Sequence, residues 1–147
     1  METSGYRALL DVNVLIALLD EDHVHHAVAW SWFENNLLSG WATCPITQIG
    51  CVRIMSQPGY PNHLRSADVA HHLRAATNAP QHEFWPDTLS VLDHQKINWE
   101  SVISPKQLTD IYLLTLAVKN KGRLVTFDQK ITPMLVHGAD DQHYEVI

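Results

Sequence analysis

Two kinds of hydrophobic pattern alternate along the chain. Short apolar runs are typical of strands buried in a parallel sheet, and longer segments with apolar residues every three or four positions are typical of amphipathic helices. Strands are predicted at residues 6–11, 41–44, 82–85, 123–128 and 143–146. Helices are predicted at residues 14–19, 23–38, 46–56, 66–77, 105–119 and 131–136. The alternation predicts an α/β fold with helices on both faces of a central, mostly parallel sheet of four or five strands.

Several polar residues stand where a helix needs a cap. Asn13 and Asp22 precede two of the predicted helices, and their side-chain oxygens can accept a hydrogen bond from a free backbone N–H group. Asp87 precedes residues 88–92 and is interpreted as a cap of a further short helical segment there, with a role in a functional site as the alternative. Ser104 is followed by a proline and then by Gln107, which is the capping-box pattern. The sequence therefore predicts a helix start after each of these residues, and the start after Ser104 is specified most fully.

The charge balance narrows the possible functions. The chain has 147 residues, a length that predicts a single domain over residues 1–147, and its formal net charge is −6. This charge excludes a basic groove that covers the whole surface. It is compatible with a nuclease whose carboxylates hold metal cations, because bound cations reverse the local sign of the charge.

The two cysteines, Cys44 and Cys51, are too few for a disulfide framework and do not form a C-x-x-C motif. Buried thiols in a reducing compartment are therefore expected. The apolar run before Leu19 is short and is interrupted by Asp11, so neither a membrane span nor a signal sequence is predicted. We expect a cytoplasmic protein without a membrane partner.

Two histidine clusters raise the question of a metal site. They consist of His23, His25 and His26, and of His71 and His72. Neighbouring histidines point to different faces of a helix, and no cysteine or acid completes a set at zinc spacing. Surface or hinge positions are therefore expected for both clusters.

Three aspartates are the strongest candidates for chemistry. Asp11 and Asp128 each follow an apolar strand, and the carboxyl ends of parallel strands lie at one edge of a sheet. Asp110 lies near the start of the helix after Ser104, in an otherwise apolar segment that enters from the same edge. Three carboxylates form a set of hard oxygen ligands suited to Mg²⁺ or Mn²⁺, and such sets commonly serve phosphodiester hydrolysis.

Other interpretations of these acids remain open at this point. Each aspartate taken singly could be a helix cap or a charge at a strand end. A phosphatase that uses Asp11 as its nucleophile is another possibility, but such enzymes usually need a second acid two residues later, and position 13 is Asn. Asp110 could be a metal ligand or the group that accepts a proton from the attacking water.

The chain resembles a known family through four segments that occur in the family's order. These are residues 9–16, 43–55, 109–117 and 124–128, and the similarity extends over nearly the full length. The chain resembles PIN-domain proteins, and among them the VapC-type toxins of bacterial toxin–antitoxin pairs. The resemblance implies a three-layer α/β/α fold and an endoribonuclease that depends on Mg²⁺ or Mn²⁺. It also implies a homodimer and a cognate antitoxin that inhibits the site and takes the complex to DNA.

The resemblance also assigns roles to residues. Asp11, Asp110 and Asp128 correspond to catalytic metal ligands, and Asn13 and Thr126 correspond to supporting polar positions beside the acids. For Asn13 and Thr126, the alternatives are a helix cap and an ordinary strand hydroxyl.

One position departs from the family pattern. Gln48 stands where the family usually has a glutamate, which removes one negative charge from the expected site. We therefore expect weak binding of metal or binding of a single ion. An alternative function is a catalytically weak PIN-fold module that binds RNA or protein. Arg53, in the same segment, could contact RNA phosphate or the antitoxin, or be a solvated helix charge.

Overall fold

A five-stranded sheet forms the centre of the computed structural model, which describes residues 5–93 and 95–147. All neighbouring strands are parallel, and their order is β3-β2-β1-β4-β5. The strands are β1 (Ala8–Leu10), β2 (Trp41–Thr43), β3 (His82–Phe84), β4 (Arg123–Thr126) and β5 (Tyr144–Val146). The prediction of a mostly parallel sheet is confirmed, although each strand is shorter than predicted.

Five α-helices of the described residues flank the sheet. They are α1 (Val12–Leu19), α2 (His26–Asn36), α3 (Pro45–Met55), α4 (Ser66–Thr77) and α5 (Leu108–Lys119). Short 3₁₀ helices occur at Leu37–Ser39, Trp99–Ser101, Pro105–Gln107, Pro133–Leu135 and Asp141–His143. The predicted α-helix at residues 131–136 is therefore wrong, because only one 3₁₀ turn forms there.

The strands place alternate side chains on two hydrophobic cores. Leu9 and Leu124 contribute to the core beneath α5. Ala8, Leu10 and Val125 contribute to the opposite core, which is covered by α1, α3 and α4 with part of α2. The chain thus forms the expected three layers, and the two free thiols of its cysteines are buried as expected.

Three of the predicted helix caps are wrong. Helix α1 begins at Val12 and is capped by Asp11, so Asn13 lies inside the helix. Helix α2 begins at His26, several residues after Asp22, whose backbone N–H is bound by Asp20 in a turn. No helix follows Asp87, whose carboxylate instead accepts a hydrogen bond from the Tyr112 hydroxyl at 2.8 Å.

The capping box at Ser104 is confirmed. The Ser104 hydroxyl accepts a hydrogen bond from the backbone N–H of Lys106, and the Gln107 side chain accepts one from the backbone N–H of Ser104. A 3₁₀ turn opens the segment, and α5 continues from it. This start fixes where Asp110 enters the carboxyl edge of the sheet.

The described helices are all too short or too polar to cross a membrane.

Candidate active site

Asp11 lies at the carboxyl end of β1 and is almost completely buried, with 8% of its surface exposed. Its Oδ1 accepts a hydrogen bond from the backbone N–H of Val12 at 2.8 Å, and its Oδ2 accepts one from the Thr126 hydroxyl at 2.7 Å. Burial raises the pKa of the Asp11 carboxyl, and these two hydrogen bonds partly oppose the rise. The side chain is therefore held in one orientation at the head of α1.

Asp128 follows β4, the neighbour of β1 in the sheet. Its backbone N–H donates to the Thr126 hydroxyl at 3.0 Å, while that hydroxyl donates to Asp11. The Asp128 carboxylate accepts a hydrogen bond from the backbone N–H of Lys130 at 2.8 Å. Thr126 thus links the two strand ends.

Asp110 comes from the first turn of α5 on the other layer. Burial raises the pKa of its carboxyl to about 7, and the negative charges of Asp11 and Asp128 add to the rise. Within the described part of the chain, no group donates a hydrogen bond to this carboxylate. Asp110 is therefore a half-buried acid that is repelled by both other carboxylates and has no hydrogen-bond donor or ion-pair partner among residues 5–93 and 95–147.

The three aspartates line one cavity of about 490 Å³, which we call the carboxylate cavity. Asn13 and Thr109 add polar groups to it, and Asn13 is exposed at its rim. The wall that faces the acids is a single stripe of α3, composed of Ile46, Ile49, Gly50, Arg53 and Ile54. The cavity therefore has an acidic wall at the sheet edge and a largely apolar wall on α3 that carries one cation.

Gln48 does not line the carboxylate cavity. Its Nε2 donates a hydrogen bond to the Thr43 hydroxyl at 3.0 Å, and its side chain lines a neighbouring cavity between α3 and α4. The other predicted site residues, Asn13, Arg53 and the three aspartates, lie in the carboxylate cavity, and Thr126 holds Asp11 from below. Among the predicted residues, Gln48 alone is directed elsewhere.

The model of the PIN domain family matches residues 8–133 of the chain. The chain belongs to the PIN domain family. It is 53% identical over 137 residues to Ribonuclease VapC44 of Mycobacterium tuberculosis, and the match covers 93% of this chain and 96% of that relative. Ribonuclease VapC39 of the same organism is 43% identical over 122 residues, which cover 82% of this chain and 88% of that relative. These matches confirm the resemblance to VapC-type toxins.

The fold of this PIN domain is also found among solved structures. The crystal structure of VapBC2 from Rickettsia felis, bound to a DNA fragment from their promoter, has a TM-score of 0.56 to this chain at 13% sequence identity. The match covers 84% of this chain and 88% of that chain. At so low an identity, the similarity shows a common fold and nothing further.

The donor set of this PIN domain fits a hard divalent cation. Carboxylate oxygens are the ligands that Mg²⁺ and Mn²⁺ prefer. Burial raises the pKa of Asp110, and the charges of Asp11 and Asp128, which such an ion would balance, raise it further. As the side chains stand, no three His, Cys, Asp or Glu residues within 5–93 and 95–147 are already arranged to hold a metal ion. The fit therefore rests on the chemistry of the donors and on their shared cavity.

The two histidine clusters of this PIN domain make packing and surface contacts. His26 lies 2.7 Å from the carbonyl oxygen of Ala17, and the ring of His25 packs on Phe127 with ring centroids 4.9 Å apart. The first cluster thus connects the start of α2 to α1 and to the residue that follows β4. His71 and His72 are exposed on α4, as expected of surface histidines.

The sequence did not single out the apolar α3 wall. Ile46, Ile49, Gly50 and Arg53 recur at helical spacing, which was a signal that they share a face. Which face of α3 would meet the acids could not be inferred, because it depends on the packing of α3 against α1.

Proposed function

We propose that this PIN domain is an endoribonuclease that depends on Mg²⁺ or Mn²⁺ and acts as the toxin of a type II toxin–antitoxin pair. The observation that carries the proposal is the meeting of Asp11, Asp110 and Asp128 in one cavity at the carboxyl edge of the sheet. The relatives that are named ribonucleases support RNA as the substrate.

The three aspartates would hold the divalent ion. When bound, such an ion lowers the pKa of a water molecule and stabilises the charge on the scissile phosphate and leaving oxygen. The chain's own groups orient the acids: the Thr126 hydroxyl and the Val12 N–H fix both oxygens of Asp11. Asp110, which has no hydrogen-bond donor in the described chain, serves either as a ligand or as the acceptor of the proton from water.

A cleavage assay tests this function. The purified protein is incubated with RNA and Mn²⁺ beside the Asp11→Asn variant and beside Asp141→Asn, which makes the same chemical change at an exposed acid. We expect Asp11→Asn to lower cleavage by roughly a hundredfold or more, because a metal ligand is lost. Asp141→Asn should cleave like the wild type. Equal cleavage by all three proteins would remove the catalytic claim.

The second candidate, a catalytically weak module that binds RNA or protein, depends on Gln48. The carboxylate cavity is lined by three acids, and position 48, where the family usually has a fourth, is a glutamine that lines the neighbouring cavity. We therefore keep the proposal that the isolated protein binds Mg²⁺ weakly or as a single ion. Two tight Mg²⁺ sites in a calorimetric titration would contradict it.

We also propose a cognate antitoxin and a homodimer as partners. The antitoxin is supported by the VapBC2 complex, whose title names both proteins and a promoter DNA fragment. In this proposal the antitoxin blocks the carboxylate cavity and makes the DNA contacts. Addition of the antitoxin should then abolish RNA cleavage, and a toxin that still cleaves RNA in the complex would contradict the inhibitory role.

A further inference from the structure

Three cavities of the surface lie side by side and share lining residues. The carboxylate cavity shares Ile49 with a cavity of about 440 Å³ between α3 and α4. That cavity shares Arg74 and Thr77 with a third cavity of about 540 Å³ along α4. These three adjacent cavities, which we call the α3–α4 track, form a row that runs from the carboxylates past Ile49 to Arg74.

The track is apolar where it crosses α3. Ile49 stands at the junction of the first two cavities and exposes 61% of its surface. Val52 and Leu73 continue the apolar lining into the second cavity. Such side chains can contact nucleobases without hydrogen bonds, and this kind of contact tolerates any base.

Three of the five arginines form ion pairs with acidic residues, and the other two lie on the track. The paired residues and their partners are Arg7 with Glu83, Arg65 with Asp68, and Arg123 with Glu145. The two remaining arginines of the sequence, Arg53 and Arg74, form no ion pair with any residue in 5–93 or 95–147. Arg53 lines the carboxylate cavity and Arg74 lines both of the others.

The acids are distributed in the opposite way. The second and third cavities have no acid in their lining, and the third adds His71 beside Arg74. By contrast, a separate cavity near Tyr60 is lined by Asp20, Glu21 and Asp22 and shares no lining residue with the track. On a chain of net charge −6, the part of the track beyond the carboxylate cavity thus offers a polyanion the unpaired cation Arg74 and no repelling carboxylate in its lining.

We propose that the α3–α4 track binds single-stranded RNA on one side of the cleaved bond. This proposal rests on the proposed ribonuclease function, which places the scissile phosphate at the carboxylates. Arg53 then contacts a phosphate next to the cleaved one, Ile49 and Val52 contact bases, and Arg74 contacts a phosphate farther along the strand. The charge complementarity of the track and its position next to the carboxylates favour RNA over other occupants.

RNA binding by two arginine variants tests the proposal. Arg74→Gln removes the cation of the track that lies farthest from the carboxylates. The control is Arg65→Gln, which removes one positive charge from the N-cap of the same helix, at a position outside the track. Binding is measured by fluorescence anisotropy with a labelled, unstructured RNA of about twenty nucleotides, long enough to exceed a typical site. EDTA is present so that the RNA stays intact.

We expect Arg74→Gln to weaken binding by about threefold to tenfold and to reduce the slope of log Kd against log salt by about 0.7, the loss of one phosphate contact. Arg65→Gln should change both quantities little. In cleavage assays Arg74→Gln should raise KM for the long RNA without lowering kcat, and should reduce the preference for the long RNA over a trinucleotide. Circular dichroism verifies that both variants are folded.

Three results would contradict the proposal that the track binds RNA. The first is an equal effect of the two substitutions, which would be a general effect of charge. The second is that Arg74→Gln leaves RNA affinity unchanged but weakens binding of an antitoxin. The track would then be a binding site for a protein. The third is that Arg74→Gln leaves RNA affinity unchanged but weakens dimerisation in sedimentation velocity. The track would then be an interface with a second copy of the chain. Failure of the wild type to cleave any RNA would instead reject the proposed function, and the anisotropy result would still decide the track.

Discussion

The Thr43 hydroxyl connects two side chains beside the carboxylate cavity. It accepts a hydrogen bond from Gln48 Nε2 at 3.0 Å and lies 2.8 Å from Nε2 of His82. Burial lowers the pKa of His82, so the ring is neutral near pH 7. Because the Thr43 hydroxyl already accepts from Gln48 and the His82 ring also hydrogen-bonds the backbone of Thr77, we assign Nε2 as the acceptor of a hydrogen bond from that hydroxyl. At the scale of the residue, Gln48 therefore joins α3 to two neighbouring strands.

Gln48→Glu should reverse this chain of hydrogen bonds. A carboxylate can only accept, so Thr43 would donate to Glu and its oxygen would accept from a protonated Nε2 of His82. We expect the pKa of His82 to rise, and an NMR titration of the imidazole measures it. Gln48→Ala is the control, because it adds no charge. An unchanged pKa with tighter Mg²⁺ binding would mean that the new carboxylate turns into the carboxylate cavity.

At the scale of the element, the close packing of α3 on α1 sets the width of the carboxylate cavity. Gly50 makes this packing possible, because a Cβ at this position would lie 2.8 Å from Cγ2 of Val12. Helix α1 also carries Asp11 at its cap, so any displacement of α3 changes the distance between the acids and the wall of Ile49 and Arg53.

Gly50→Ala should therefore destabilise the fold and widen the cavity. We expect a loss of about 1–3 kcal/mol in the free energy of unfolding, as is typical of overpacking, measured by urea denaturation. The double variant with Val12→Ala should recover part of the loss. Gly59→Ala is the control, because a Cβ there meets no atom within 4 Å. Equal stability of the Gly50 and Gly59 variants would show that the contact is not limiting.

At the scale of the whole molecule, the site lowers the stability of the fold when no ion is bound. The carboxyl pKa values of Asp11 and Asp110 are both raised, above all by burial. An acid with a raised pKa binds its proton more tightly in the folded state. Its contribution to stability is therefore full below the unfolded pKa of 3.8 and is lost as the pH rises, up to about 7 for Asp110.

Asp110→Asn should remove the loss of folding stability that the Asp110 carboxyl causes as the pH rises. We expect the ion-free variant to be more stable than the wild type by about 2 kcal/mol near pH 8, with little difference near pH 4, once the shift is reduced for partial exposure. Urea denaturation in EDTA at several pH values measures the difference. Mg²⁺ should stabilise the wild type more than the variant. The same difference at both pH values would contradict the role of charge.

The sequence was informative wherever a local pattern determined the structure. The capping box at Ser104 specified where α5 begins, and apolar runs that end in Asp11 and Asp128 predicted two adjacent strand ends. Caps that depend on a single residue were less reliable. Asp11, at the end of its strand, caps α1 in place of Asn13 because the chain turns into the helix two residues earlier.

The sequence by itself determined the parallel α/β fold, the family and the acids that belong together, because periodicity and the ends of strands are properties of neighbouring residues. The tertiary structure decided what those acids face. Gln48 and Ile49 are adjacent in sequence, yet the Gln48 side chain reaches Thr43 and Ile49 lines the carboxylate cavity. The rotation of α3 about its axis separates them, and that rotation is fixed by the contact of Gly50 with Val12 across two helices.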